Sequence, residues 1–321
     1  MDIKQYRVSG SAEMDRLGEL SYRFIAHLIG LLMGFESLLL CSCCCVSLIY
    51  GEKDMMSFVI SFAICLSASA LLMVIGQKKK SAISRYEGYI VVGLSWVFFT
   101  IFGMLPYLIG GYIPSVTDAF FETMSGFTTT GATILDNIES MPHGILFWRS
   151  LTQWIGGLGI VFFTIVLMPG FGASSQMLYL SEATGVTHNK LYPKTRVMAR
   201  YIFVVYILLT AIESVLLKIG GMSLYDAICH SMTTTATGGF STKQESIAYW
   251  HSSYIEYVVS GFMLLSAINF SLYIVACKGG WKQIWKNAEL KWFACSVGLL
   301  TFIITAALIQ YNNYGIEEAI R

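Results

Sequence analysis

Ser115-Val-Thr-Asp118-Ala-Phe-Phe-Glu122-Thr-Met-Ser-Gly-Phe-Thr-Thr129-Thr130-Gly131-Ala132-Thr133 is the stretch on which the fold turns, because it recurs. About 107 residues later the chain reads Ser223-Leu-Tyr-Asp226-Ala-Ile-Cys-His-Ser-Met-Thr-Thr-Thr-Ala236-Thr237-Gly238-Gly239-Phe240. Both copies open with Ser-x-x-Asp, whose side chains satisfy the free N–H groups of a helix's first turn. Both run roughly three helical turns and reach a Thr-rich stretch containing Thr-Gly. Apolar runs lie before and after each copy, so the repeating unit is span, short helix, Thr-Gly loop, span. Such a helix is too short to cross ~30 Å of hydrocarbon. Its polar loop cannot face lipid, where unsatisfied backbone groups are costly, so it is buried in protein or lines a watery cavity.

That placement suggests ion conduction. A re-entrant helix entering from outside turns its partly negative C-terminal end towards the membrane centre, which favours a cation. Carbonyl and hydroxyl oxygens of the loop can replace hydration water. Threonine supplies oxygen without fixed charge and suits a weakly hydrated monovalent ion, whereas Mg²⁺ or Ca²⁺ more often takes carboxylates. Glycine allows the turn that aims carbonyls at an axis. One copy could be an ordinary outer loop; two copies in the same topological place argue against that.

Composition agrees. Of 321 residues, 55% are hydrophobic and 13% charged, against roughly 25% charged in soluble domains. Mean hydropathy is +0.62. The sequence therefore predicts an all-α polytopic membrane protein, with about seven transmembrane helices and two re-entrant pore helices. The net charge of +1 offers no tail for nucleic acid. Eight cysteines lie in or beside apolar runs and read as small hydrophobes, not as a disulfide framework or metal site. Residues 1–23 lack a signal peptide's apolar core, so the first run is retained.

Seven apolar runs are predicted to span, at 24–50, 55–76, 89–110, 144–169, 199–219, 252–277 and 288–310. Segments 1–23, 77–88, 170–200 and 278–291 hold 16 of the 21 Lys and Arg residues, which orients the N-terminus towards the cytoplasm. After the seventh run, Gly315-Ile-Glu-Glu318-Ala-Ile320 begins a third copy of the unit, so the chain is expected to be an incomplete protein.

Charged and polar residues within the spans are the next candidates. Glu122 is expected to support the first short helix or to raise local cation concentration. Arg149 would repel cations at an outer entrance and is expected to bond carbonyls, Asp136 or Glu139 behind the loop. Glu213 is expected to pair with Lys218. Glu36 suits either an inter-helix hydrogen bond or a contact in a complex. Asn269 suits either a cross-helix hydrogen bond or an inner vestibule. Gly156-Gly157-Leu-Gly159 follows no strand and reads as small residues for close helix packing.

Four stretches, Phe120–Thr133, Pro142–Gly159, Thr233–Thr242 and Ile268–Tyr273, resemble the Trk/Ktr/HKT superfamily of potassium transporters, specifically its bacterial Trk-type (TrkH-like) membrane subunit. The resemblance extends over nearly all of the chain. It implies a pore of four span–helix–span units in one polypeptide, of which this chain holds about two and a half. It carries the filter glycines to Gly131 and Gly238, with Thr129, Thr130, Ala132, Ala236, Thr237 and Gly239 shaping the loops. Potassium would be held by backbone or hydroxyl oxygens of Thr129, Thr130, Thr237 and Gly238. The implied segments are a cytoplasmic stretch at 1–23, an extra helix pair at 24–88, a first pore repeat at 89–170 and a linker at 171–198. A second repeat at 199–277 and the start of a third at 278–321 follow. Implied partners are a TrkA-like cytoplasmic nucleotide-binding regulatory subunit, membrane lipids and a second copy in a homodimer, in the bacterial inner membrane. Potassium is the implied ion; no organic cofactor, catalytic residue or nucleic acid is expected. Two other readings stay open, a non-conducting membrane scaffold fragment and an integral-membrane transferase. The scarcity of His, Asp and Glu in the repeated segments argues against the second.

Overall fold

The computed structural model describes residues 21–76, 85–159, 195–312 and 315–321. Helix α1 (Tyr22–Tyr50) and α2 (Met55–Ile75) form an antiparallel hairpin. Small residues bring the two helices together: Ser69 Oγ donates to the Gly30 carbonyl at 2.6 Å, and Cys65 Sγ lies 3.4 Å from the Met33 carbonyl. All eight cysteines are free. Glu36 is buried against Cys65, whose thiol lies 3.9 Å from its carboxylate.

The third apolar run forms α3 (Arg85–Gly103) and α4 (Leu105–Ile109). Then come the short helix α5 (Val116–Phe127) and helix α6 (His143–Gly157). Residues 160–169 of the expected fourth span, the linker from 171 to 194 and the basic stretch 77–84 lie outside the described residues. The second unit repeats the order with α7 (Thr195–Ile219), short helix α8 (Leu224–Thr235) and α9 (Ser253–Ala267).

Five described helices are long and apolar enough to cross a membrane. The expected sixth span is not one rod: α9 and α10 (Phe270–Cys277) meet at 91°. The break sits at Ile268, which is extended, and at Asn269, whose Oδ1 accepts from Ser271 N–H at 3.0 Å and Ser271 Oγ at 2.7 Å. Asn269 is therefore a helix cap that starts α10. Helices α11 (Trp281–Lys286), α12 (Ala288–Asn312) and α13 (Ile316–Ile320) complete the chain.

The main core lies where α1, α3, α5 and α6 meet, around Leu32, Leu40, Phe99, Phe127 and Trp148. Trp148 Nε1 donates to the Gly103 carbonyl at 2.8 Å, where that carbonyl ends α3. At one end of the bundle His143 stacks on Tyr50 at 3.9 Å and lies 2.8 Å from Glu52, while Tyr225 Oη donates to its carbonyl. One contact group thus ties α1, α6 and α8. Apolar side chains of α12, including Leu299 and Phe302, stay exposed, as lipid- or protein-facing residues do.

Candidate ion pathway

Each of the short helices α5 and α8 starts as its sequence predicts. Ser115 Oγ accepts from Asp118 N–H at 3.3 Å, and Ser223 Oγ from Asp226 N–H at 3.0 Å. Each helix has 12 residues, so it rises ~18 Å, about half a bilayer.

The two ends are also alike. Thr129 N–H bonds the Gly126 carbonyl and Thr130 N–H the Ser125 carbonyl, both at 3.0 Å. Thr237 N–H bonds the Thr234 carbonyl and Gly238 N–H the Thr233 carbonyl, both at 2.9 Å. These paired bonds make a Schellman cap, which turns the chain out of the helix through one left-handed residue. Glycine usually fills that position. Here it is Thr129, with φ +55°, and Thr237, with φ +56°. A β-branched residue rarely adopts that conformation, and strain of this kind gathers at functional sites.

The caps set the register of the repeat. Ser115 and Ser223, Thr129 and Thr237, and the left-handed Gly131 and Gly239 are each 108 residues apart (223 − 115, 237 − 129, 239 − 131). The pairing of Gly131 with Gly238, and the spacing of about 107 that goes with it, is thereby corrected by one residue. Gly239 matches Gly131, and Gly238 matches Thr130.

Thr128, Thr130, Ala132, Thr237 and Gly239 are exposed, whereas Ala236 is buried. The two loops meet. A Cβ on Gly131, whose φ is +78°, would overlap the Gly238 carbonyl oxygen. Behind them, Gly156 packs on the Phe127 carbonyl, and a Cβ on Gly157 would lie 2.9 Å from Ala236 Cα. The small residues of α6 therefore let one helix back both caps.

Arg149 fastens the loops from behind. It is 1% exposed. Its Nε donates to Glu122 Oε1 at 2.8 Å, Nη2 to Thr133 Oγ1 at 3.2 Å, and Nη1 to the Ser241 carbonyl at 3.1 Å. Its guanidinium lies 4.2 Å from the Phe240 ring centroid, a cation–π distance. Glu122 also accepts from Ile134 N–H at 3.0 Å and from Thr133 Oγ1. The expected carbonyl contact is thus present, with Glu122 as the acidic partner where Asp136 or Glu139 was expected. Glu122 is thus buried and paired, with its carboxylate held against the loop.

Two side chains that sequence reasoning passed over, Gln153 and His230, join this assembly. Gln153 Oε1 accepts from Phe240 N–H at 3.0 Å. His230 lies 2.8 Å from the Asp226 carbonyl and 2.9 Å from Ser241 Oγ. A signal existed for Gln153, a polar residue one helical turn beyond Arg149 inside an apolar run. The expected Glu213–Lys218 pair does not form: Lys218 Nζ turns to the Met222 carbonyl at 3.4 Å, and Glu213 is buried.

Comparison with known proteins gives this arrangement its context. The TrkH family model, described as a cation transport protein, matches residues 54–309. The chain belongs to the TrkH family. It is 34% identical over 297 residues to the Trk system potassium uptake protein TrkH of Escherichia coli strain K12, covering 92% of this chain and 62% of that protein. To TrkG of the same organism it is 35% identical over 304 residues, covering 91% and 62%. The crystal structure of the potassium transporter TrkH from Vibrio parahaemolyticus superposes with a TM-score of 0.80 at 33% identity, covering 94% of this chain and 62% of that one. The chain thus spans about three-fifths of the length of the relatives it matches.

Proposed function

We propose that this chain forms two pore repeats, and the first helices of a third, of a potassium-uptake subunit in the bacterial inner membrane, with its N-terminus in the cytoplasm. Repeat one runs over 89–170 and repeat two over 199–277, preceded by the helix pair of 24–88. Ions enter from outside and shed water at residues 128–133 and 235–240. Oxygens of Thr129, Thr130, Thr237 and Gly238 replace that water. Gly131 and Gly239 supply the left-handed turns. No bond is made or broken. The ion moves down the membrane potential, which contributes ~2.3 kcal/mol per charge for each 100 mV.

The observation that carries this reading is the contact between loops: two strained, identically capped turns converge with the Gly131 backbone against the Gly238 carbonyl. In the complete protein, further repeats close the ring, a second copy forms a dimer and a cytoplasmic nucleotide-binding subunit regulates it. The names of the relatives support potassium as the ion.

The test is growth of a potassium-uptake-deficient strain at low potassium. The complete gene is expected to restore growth, and Gly131→Ser or Gly239→Ser to reduce it and to admit sodium. Unchanged rescue and ion preference in both variants would remove the filter assignment.

A further inference from the structure

Gln153 sits where the two loops meet. It has no exposed surface. Its Oε1 holds Phe240 N–H, while its Nε2 is buried without a hydrogen-bond partner among the described residues. A Cβ on Gly238 would overlap the Gln153 carboxamide, lying 2.7 Å from Nε2 and closer to Cδ and Oε1. From the other loop, a Cβ on Gly131 would come within 3.7 Å of the same Nε2. The carboxamide is therefore a wedge against Gly238, with Gly131 of the other loop close by.

The two glycines are needed for different reasons. Gly131 is left-handed and abuts backbone, so any side chain there is both strained and obstructed. Gly238 is not among the residues with positive φ. Its backbone would accept another residue; what excludes a side chain is Gln153. A buried unpaired amide donor is costly and rarely kept without a reason. Here it lies close to a glycine of each loop.

We propose that Gln153 is a positioning and specificity-determining residue of the ion pathway. Its carboxamide bears on Gly238 and holds Phe240 N–H, which sets how the second loop stands against the first. Arg149 fastens the same loops through its salt bridge and the Ser241 carbonyl, so Gln153 governs spacing near the glycines while Arg149 governs attachment further back. This inference rests on the reading of residues 128–133 and 235–240 as filter loops.

The experiment measures rubidium uptake and the potassium-to-sodium preference of the complete transporter in cells, per amount of membrane-inserted protein. Gln153→Leu keeps bulk but drops the bond to Phe240, and is expected to lower ion preference roughly tenfold, the scale of one buried hydrogen bond. Gly238→Ala is expected to lose uptake and to regain it at least in part when combined with Gln153→Ala, because the wedge is gone. Gly131→Ala, which meets backbone, is expected to gain nothing from Gln153→Ala. The proposal is overturned if Gln153→Leu leaves ion preference unchanged, or if Gln153→Ala fails to restore Gly238→Ala. The restoration decides the matter even if Gln153→Leu inserts poorly. Altered preference in Gly131→Ala alone, without the Gln153 effects, overturns this inference and spares the filter reading; unchanged preference in Gly131→Ala overturns both.

Discussion

The two matched helix–loop units share a backbone device and differ in what fastens it. In both, a Ser-x-x-Asp start leads to a helix of 12 residues closed by a Schellman cap on a left-handed threonine. In both, a hydroxyl two residues beyond the left-handed glycine accepts a backbone N–H: Thr133 from Leu135 at 3.1 Å, Ser241 from Lys243 at 2.9 Å. The partner of that hydroxyl differs. Repeat one uses the Glu122 carboxylate; repeat two uses His230, at the matching position 108 residues on (230 − 122). His230 faces a carbonyl through Nδ1, so that nitrogen carries the proton, and Nε2 of the neutral ring accepts from Ser241. A Trp250 ring covers it edge-on at 5.0 Å. The difference teaches that caps fix loop shape, while the fastening can change chemistry. It also shows where the units are joined, since Arg149 serves Glu122 in one and the Ser241 carbonyl in the other.

Removing the shared residue should break the comparison most. Arg149→Met leaves Glu122 buried without its cation and should destabilise the protein by ~3–5 kcal/mol, read as a lower melting temperature in detergent. A loss no greater than that of a surface variant would show that the units are not joined there. The fastening unique to repeat two should matter less. His230→Phe keeps the ring against Trp250 but strands the Ser241 hydroxyl, costing about 1–3 kcal/mol. A variant as damaging as Arg149→Met would mean that the imidazole carries more than one contact. The shared feature should give the smallest effect and the opposite sign. Thr129→Gly and Thr237→Gly relieve left-handed strain and should each stabilise by about 1 kcal/mol, equally in the two repeats. Unequal gains would show that the caps are not equivalent, and each variant is expected to weaken ion preference.

Much of this was legible in the sequence because it rests on local chemistry. Ser115 and Asp118, like Ser223 and Asp226, announce helix starts, and the apolar runs announce spans. The one-residue register was hidden because Gly238 and Gly239 are both glycine, and only backbone angles tell them apart. Arg149's acidic partner is 27 residues away in sequence, so proximity along the chain pointed to Asp136 and Glu139 instead. The 91° break escaped an apolarity scan because Ile268 and Asn269 carry no charge; capping chemistry at Asn269 was the available clue. Gln153 was missed because its one signal, an amide a turn beyond Arg149, names no partner, and its meaning lies in two glycines brought to it by folding.

The central claim is that oxygens from the two matched loops hold a dehydrated monovalent cation between them. Anomalous scattering from rubidium soaked into crystals of the complete protein tests it most directly. The expected result is density within coordinating distance of oxygens from both 128–131 and 236–239, diminished in Gly131→Ser. Rubidium bound only elsewhere, with these loops facing water and no ion between them, would contradict it.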